Sequence, residues 1–150
     1  MSTTIAISEL ISPMSSPHLM LSTRLVSNLR DEHSTLRATT DRNGPAVVIH
    51  AGGEVDACNE DTWRQLVSEA ANVVTAPGPF VVDVTGLDFL AACAFAVLAG
   101  EAGRCQSRGV ELRLVSHQPV VARIVKACGL SGVLPIYPTT DAALATPARG

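Results

Sequence analysis

The chain has 150 residues, 47% of them apolar and 17% charged, with a net charge of -3. That balance supplies the core of one compact domain and excludes a disordered chain. With no Lys/Arg cluster anywhere, a nucleic-acid backbone meets no basic field, so direct nucleic-acid binding is excluded too.

Residues 1–33 read as a leader rich in Ser and Thr with Pro13 and Pro17, expected to be mobile except for a short helix within Leu19–Leu29. The leader has no early basic residue and no clean apolar run before a cleavage site, which argues against a secretory signal; Met14 and Met20 leave the start open. The domain proper is expected over residues 34–147. Thr35–Thr40 and Pro45–Ala51 are strand candidates, and Asp41-Arg42-Asn43-Gly44 between them is turn chemistry, so the pair reads as a hairpin.

After Gly52-Gly53 the period changes. Trp63, Leu66, Val67, Ala70 and Val73 or Val74 recur every three or four residues and fall on one helical face, with Trp63 as a core residue. Asn59 is the expected cap, and Glu60 and Asp61 stand where the helix dipole favours anions. Ala76-Pro77-Gly78-Pro79 stops this helix, and Phe80–Val84 then reads as a strand covered on both faces.

A second helix is expected over Cys93–Gln106, burying Phe95, Leu98, Ala102 and Cys105. The apolar-rich stretch Gly86–Gly103 is broken by Asp88 and Glu101, so it is a strand end and helix rather than a membrane span. Val110, Leu112 and Leu114 alternate with Glu111 and Arg113, as in a strand with one more polar face. A helix from Pro119 to Cys128 with Gly129 in the left-handed cap position, a short strand near Val133–Tyr137 and a helix near Asp141–Ala145 close the chain.

This order implies an α/β fold: a mixed sheet of four to five strands with about four helices, its parallel strands joined by right-handed crossovers. Loops at the C-terminal ends of such strands share one functional edge. Glu54, Asp56, Asp88 and Cys93 fall on it, with Asp83 and Asp88 expected to flank one strand.

Three segments carry a family resemblance. Ile49–Asp56 (IHAGGEVD) resembles a hydrophobic strand followed by Gly-Glu-x-Asp, Val81–Val97 (VVDVTGLDFLAACAFAV) a strand running into Asp-Ser-Ser-Gly-Leu-Gly, and Leu112–Leu134 (LRLVSHQPVVARIVKACGLSGVL) the closing strand and helix of STAS domains of the anti-sigma factor antagonist kind. The resemblance implies a cytoplasmic, non-enzymatic regulator that binds an anti-sigma factor, a kinase-like protein, and so frees a sigma factor. Glu54, Asp56, Asp88 and Cys93 are the partner contacts it implies.

The family's central serine falls at Cys93, its preceding Asp and Ser at Ala91 and Ala92, and its glycines at Ala94 and Ala96. In the family a kinase phosphorylates the serine and the added charge expels the partner. A thiol is no ordinary phosphate acceptor, so this chain is expected not to be switched that way: it is permanently competent, differently controlled, or no longer an antagonist.

Two alternatives stay open. One is a thiol-based redox sensor, since a helix start stabilises a thiolate at Cys93. Cys105 lies about 18 Å further along the same helix and cannot bridge to Cys93; Cys58, after the neighbouring strand on the same edge, is the better disulfide partner, and Cys128 at the end of the third helix a lesser one. The other is a ligand-sensing or scaffold STAS module, and the oligomeric state is left undetermined. The four cysteines lack metal-ligand spacing, so no metal is expected. Gly52-Gly53 completes no nucleotide motif, and no cofactor is expected. The carboxylates are read as caps or contacts rather than catalysts, and His50 as a satisfied or surface histidine.

Overall fold

A computed structural model describes residues 21–147. Five helices and five strands alternate within that span. They run α1 (Thr23–Arg30), β1 (Leu36–Asn43), β2 (Ala46–Val55), α2 (Glu60–Asn72), β3 (Phe80–Leu90), α3 (Ala92–Ser107), β4 (Leu112–Val115), α4 (Pro119–Ala127), β5 (Ile136–Tyr137) and α5 (Thr140–Ala145). The strands form one sheet in the order β1-β2-β3-β4-β5. The β1–β2 hairpin is antiparallel and every later pair is parallel, so the expected mixed α/β sheet is present.

The hairpin closes differently from expectation. Asn43 pairs with Ala46, so only Gly44 and Pro45 form the turn, and Asp41, Arg42 and Asn43 are strand residues. Gly44 supplies the positive φ of 63° that so short a connection needs.

Alternation sorts the strand residues into two layers. Val47, Ile49, Ala51, Phe80, Val82, Leu112 and Leu114 face α1 to α4 and form the main core with Leu25, Trp63, Leu66, Leu98 and Val125. The expected leader helix forms as α1 and packs there through Leu25, Val26 and Leu29. Glu69 of α2 ties down its start, accepting from the backbone N–H of Ser22 at 2.8 Å and from its hydroxyl at 2.7 Å. The rest of that mobility expectation, residues 1–20, lies outside the described residues.

On the opposite face Val48, Val81 and Val115 pack against Ala143, with Tyr137 and Leu144 beside them. Here β4 departs from the half-polar reading, because all four of its residues are buried, Arg113 completely. The Arg113 guanidinium donates to the carbonyls of Ala143, Thr146 and Pro147 and pairs with Glu111 at 2.8 Å. It therefore closes the C-terminus of α5, where carbonyls lack partners within the helix.

His50 and Asp83 stand in register on that same face. The Nδ1–H of His50 donates to Asp83 at 3.0 Å, and Asp41 lies 3.7 Å from Nε2. The bond to Asp83 lifts the His50 pKa above 6.5; burial opposes it, and the charges of Asp83 and Asp41 add to it. Burial would raise the Asp83 carboxyl, but His50 and Thr85 outweigh it and hold Asp83 down at about 2. The aspartate's contribution is thus fully present above its unfolded pKa and lost as pH falls from there through the folded value of about 2. The histidine's is complete below 6.5 and lost as pH rises through its raised pKa. Asp83→Asn is expected to cost on the order of 1 kcal/mol near pH 5.5, a figure discounted because His50 is partly exposed. In urea melts the gap should narrow toward about pH 9; a gap independent of pH would contradict the pairing.

Candidate functional site

The C-terminal end of β2 is shaped by a close approach. A Cβ on Gly53, at φ 89°, would stand 1.9 Å from the carbonyl oxygen of Thr35, which accepts the Glu54 N–H at 2.9 Å. Only glycine lets the chain entering β1 lie that near. Beyond Glu54 the Asp56–Asn59 turn is locked by its own side chains. Asp56 Oδ1 accepts from Cys58 N–H at 2.9 Å, and Asn59 Oδ1 accepts from Asp56 N–H at 2.9 Å. Asn59 Nδ2 donates to the Glu54 carbonyl at 2.9 Å and to Thr35 Oγ1 at 3.1 Å. The expected cap is corrected accordingly: Asn59 occupies the N-cap of α2, but its side chain is spent on the turn and caps nothing.

The second wall is the end of β3, which runs to Leu90 rather than stopping at Val84, so Asp83 and Asp88 lie within the strand rather than flanking it. Past Asp83, the last residue paired with β4, the strand continues against β2 alone. Gly86 permits this, since a Cβ there would sit 2.8 Å from the Ala51 carbonyl.

Two bulges interrupt this stretch. Between His50 and Gly52, and again between Gly53 and Glu54, β3 advances one residue more than β2. Glu54 therefore pairs with Phe89 and Val55 with Leu90.

At Leu90 the chain turns into α3. The Ala91 N–H donates to the Val55 carbonyl at 2.9 Å, and the Ala91 carbonyl receives the N–H of Ala94 at 2.9 Å. No side chain caps α3. Trp63, fully buried on α2, donates its indole N–H to the Ala94 carbonyl at 3.3 Å and so joins the starts of the two helices.

Cys93, half-buried in the first turn of α3, corrects the thiolate expectation. Burial raises its pKa, and the charge and hydrogen bond of Glu60 at the start of α2 raise it further, outweighing the pull of the Cys93 and Ala94 N–H groups. The helix start is real, but a carboxylate stands in front of it. Cys105 is buried and pushed up to about 11, Cys58 and Cys128 are exposed, and all four are free thiols.

The structure thus gathers Glu54, Asp56, Cys58, Asp88 and Cys93 at one end of the sheet. Sequence reasoning missed Phe89, whose side chain is 53% exposed. Leu87 and Phe89 alternate as two inward residues would, and only the bulge, which leaves no mark in composition, turns the second one outward. Among the described residues no cluster of His, Cys, Asp and Glu is placed to hold a metal ion, and no helix is long and apolar enough to cross a membrane.

Comparison with known proteins locates this arrangement. The family profile described as STAS domain matches residues 37–143. A candidate anti-anti-sigma factor of Mycobacterium tuberculosis, Rv2638, is 68% identical over 141 residues, covering 91% of this chain and 95% of the relative. The anti-sigma-F factor antagonist RsfA of the same species is 56% identical over 111 residues, 74% of this chain and 87% of the relative. Among solved structures, an anti-sigma factor antagonist from Mycobacterium paratuberculosis superposes with a TM-score of 0.64 at 22% identity, covering 73% of this chain and 91% of that one.

Proposed function

This chain belongs to the STAS domain family, and from that premise we propose that it is an anti-sigma factor antagonist working by binding alone in the bacterial cytoplasm. Its partner in this reading is a kinase-like anti-sigma factor, met by the rim of Glu54, Asp56, Asp88 and Cys93, and docking there releases the sigma factor. The rim itself carries the reading: two strand ends and two helix starts converge, held by the Trp63 and Asn59 hydrogen bonds, with the exposed carboxylates of Glu54 and Asp88 beside them.

At the position of the family's acceptor serine this chain carries no hydroxyl. Ala91, Ala92 and Cys93 occupy the stretch where the family's acceptor serine is found, and burial together with Glu60 disfavours the Cys93 thiolate. Partner release by a phosphate dianion is therefore absent in this reading, and the antagonist is competent as synthesised. A thiol-based sensor draws less support, because the most enclosed rim cysteine is the one whose thiolate is disfavoured.

The test uses the full chain with purified anti-sigma-F factor of Mycobacterium tuberculosis, the factor that the name of the relative RsfA points to, in the presence of Mg-ATP. A stable complex with no phosphate on residue 93 by intact mass and peptide mapping is the expected result. Phosphate incorporated at the rim, with loss of the complex, would overturn the unswitched reading.

A further inference from the structure

Aromatic residues are scarce in this chain, and nearly all are spent on packing. Trp63 and Phe80 are fully buried, Phe95 almost so, and Tyr137 is half-buried under the Arg113 guanidinium. Phe89 alone among the described aromatics faces solvent, and with Val120 it makes up the exposed large hydrophobics.

Its exposure is built by the backbone. Without the second bulge, Asp88 would pair with Glu54 and set two carboxylates opposite each other, which is unfavourable, while Phe89 would turn with Leu87 toward the core. The extra residue in β3 instead sets the ring beside Glu54, on the face opposite α2 and α3. A fold that sacrifices ladder regularity to expose a phenyl ring has placed it for contact.

Charge narrows the kind of contact. Glu54 and Asp88, the register partner and chain neighbour of Phe89, are both exposed, and neither makes an ion pair with the described residues. Asp56 adds a carboxylate two positions further. The nearby cation Arg64 is engaged by Glu60 at 2.7 Å and Asp61 at 3.6 Å, and Arg37, opposite Gly52, lays its guanidinium along Gly52 and Gly53 without forming an ion pair with Glu54.

We infer that Phe89 is the apolar anchor of the rim, entering a pocket on the anti-sigma factor that is lined by apolar groups and edged by Lys or Arg side chains meeting Glu54 and Asp88. This rests on the antagonist reading and adds to it the residue that carries affinity and the chemistry of the surface it fits. Buried aromatic anchors dominate such interfaces, whereas rim charges chiefly set association rate and salt dependence.

The experiment titrates anti-sigma-F factor with the full-length wild type, Phe89→Ala, Phe89→Leu and the double variant Glu54→Gln/Asp88→Asn, at two salt concentrations, with circular dichroism melts as the fold control. Because the ring is exposed, the variants should melt like wild type. Phe89→Ala is expected to weaken binding by roughly 30-fold or more, through faster dissociation. Phe89→Leu should retain most of the affinity, and the double variant should lower the association rate and flatten its salt dependence. Wild-type binding with an unchanged Kd for a folded Phe89→Ala overturns the anchor and leaves the antagonist reading standing. Failure of the wild type itself to bind overturns that reading and the anchor with it.

Discussion

Trp63→Ala is expected to destabilise the domain by about 3–5 kcal/mol, the cost of emptying a large, fully enclosed site. The ring is part of the main core, among the residues of α2, α3 and the sheet, so its loss leaves a cavity that rigid neighbours cannot refill. A second loss is polar. The Ala94 carbonyl, one turn into α3, no longer receives the indole N–H, and the starts of α2 and α3 are no longer tied at the rim. Trp63→Phe separates the two effects: it keeps most of the apolar volume, removes the N–H and should cost about 1–2 kcal/mol. Urea unfolding at constant m-value reads both, and a Trp63→Ala loss below about 1 kcal/mol would mean that the two helices are not joined as described.

Arg113→Met is expected to be the next most damaging change, at about 3 kcal/mol. Methionine restores much of the volume, so the loss comes from electrostatics. The carbonyls of Ala143, Thr146 and Pro147 lose their buried donors, and the Glu111 carboxylate loses the guanidinium at 2.8 Å. Stacking of the guanidinium 5.4 Å above the Tyr137 ring goes too. Since α5 covers only the face formed by Val48, Val81 and Val115, early exchange of the α5 amides ahead of the main core is the expected signature by hydrogen exchange. Uniform loosening of both faces would show that Arg113 does not act through α5.

Much of the framework was legible in the residues because periodicity reports which face is buried. The stripe from Trp63 to Ala70, the doubly covered run at Phe80 and the left-handed glycine at position 129, φ 71°, all stand where the sequence puts them. The gathering of Glu54, Asp56, Asp88 and Cys93 at one sheet end followed from topology alone, because parallel strands send their C-termini the same way.

The misses share a cause: the outcome was decided by a partner distant in sequence. Arg113 alternates like a surface residue and is buried only because the end of α5 needs donors. Asn59 has the chemistry of a cap, but Glu54 and Thr35 compete for its amide. Cys93 begins a helix, yet burial and, after it, Glu60 brought over from α2 reverse the effect expected on its thiol. Phe89 follows inward alternation until a bulge against β2 turns it around.

The measurement that bears most directly on the whole account is competition. Anti-sigma-F factor, preloaded with its sigma factor, is titrated with the full chain in Mg-ATP while free sigma factor is followed. Stoichiometric release that persists as ATP is consumed, with residue 93 unmodified, is the expected result. No release at any concentration, or release that fades as phosphate appears on this chain, would contradict it.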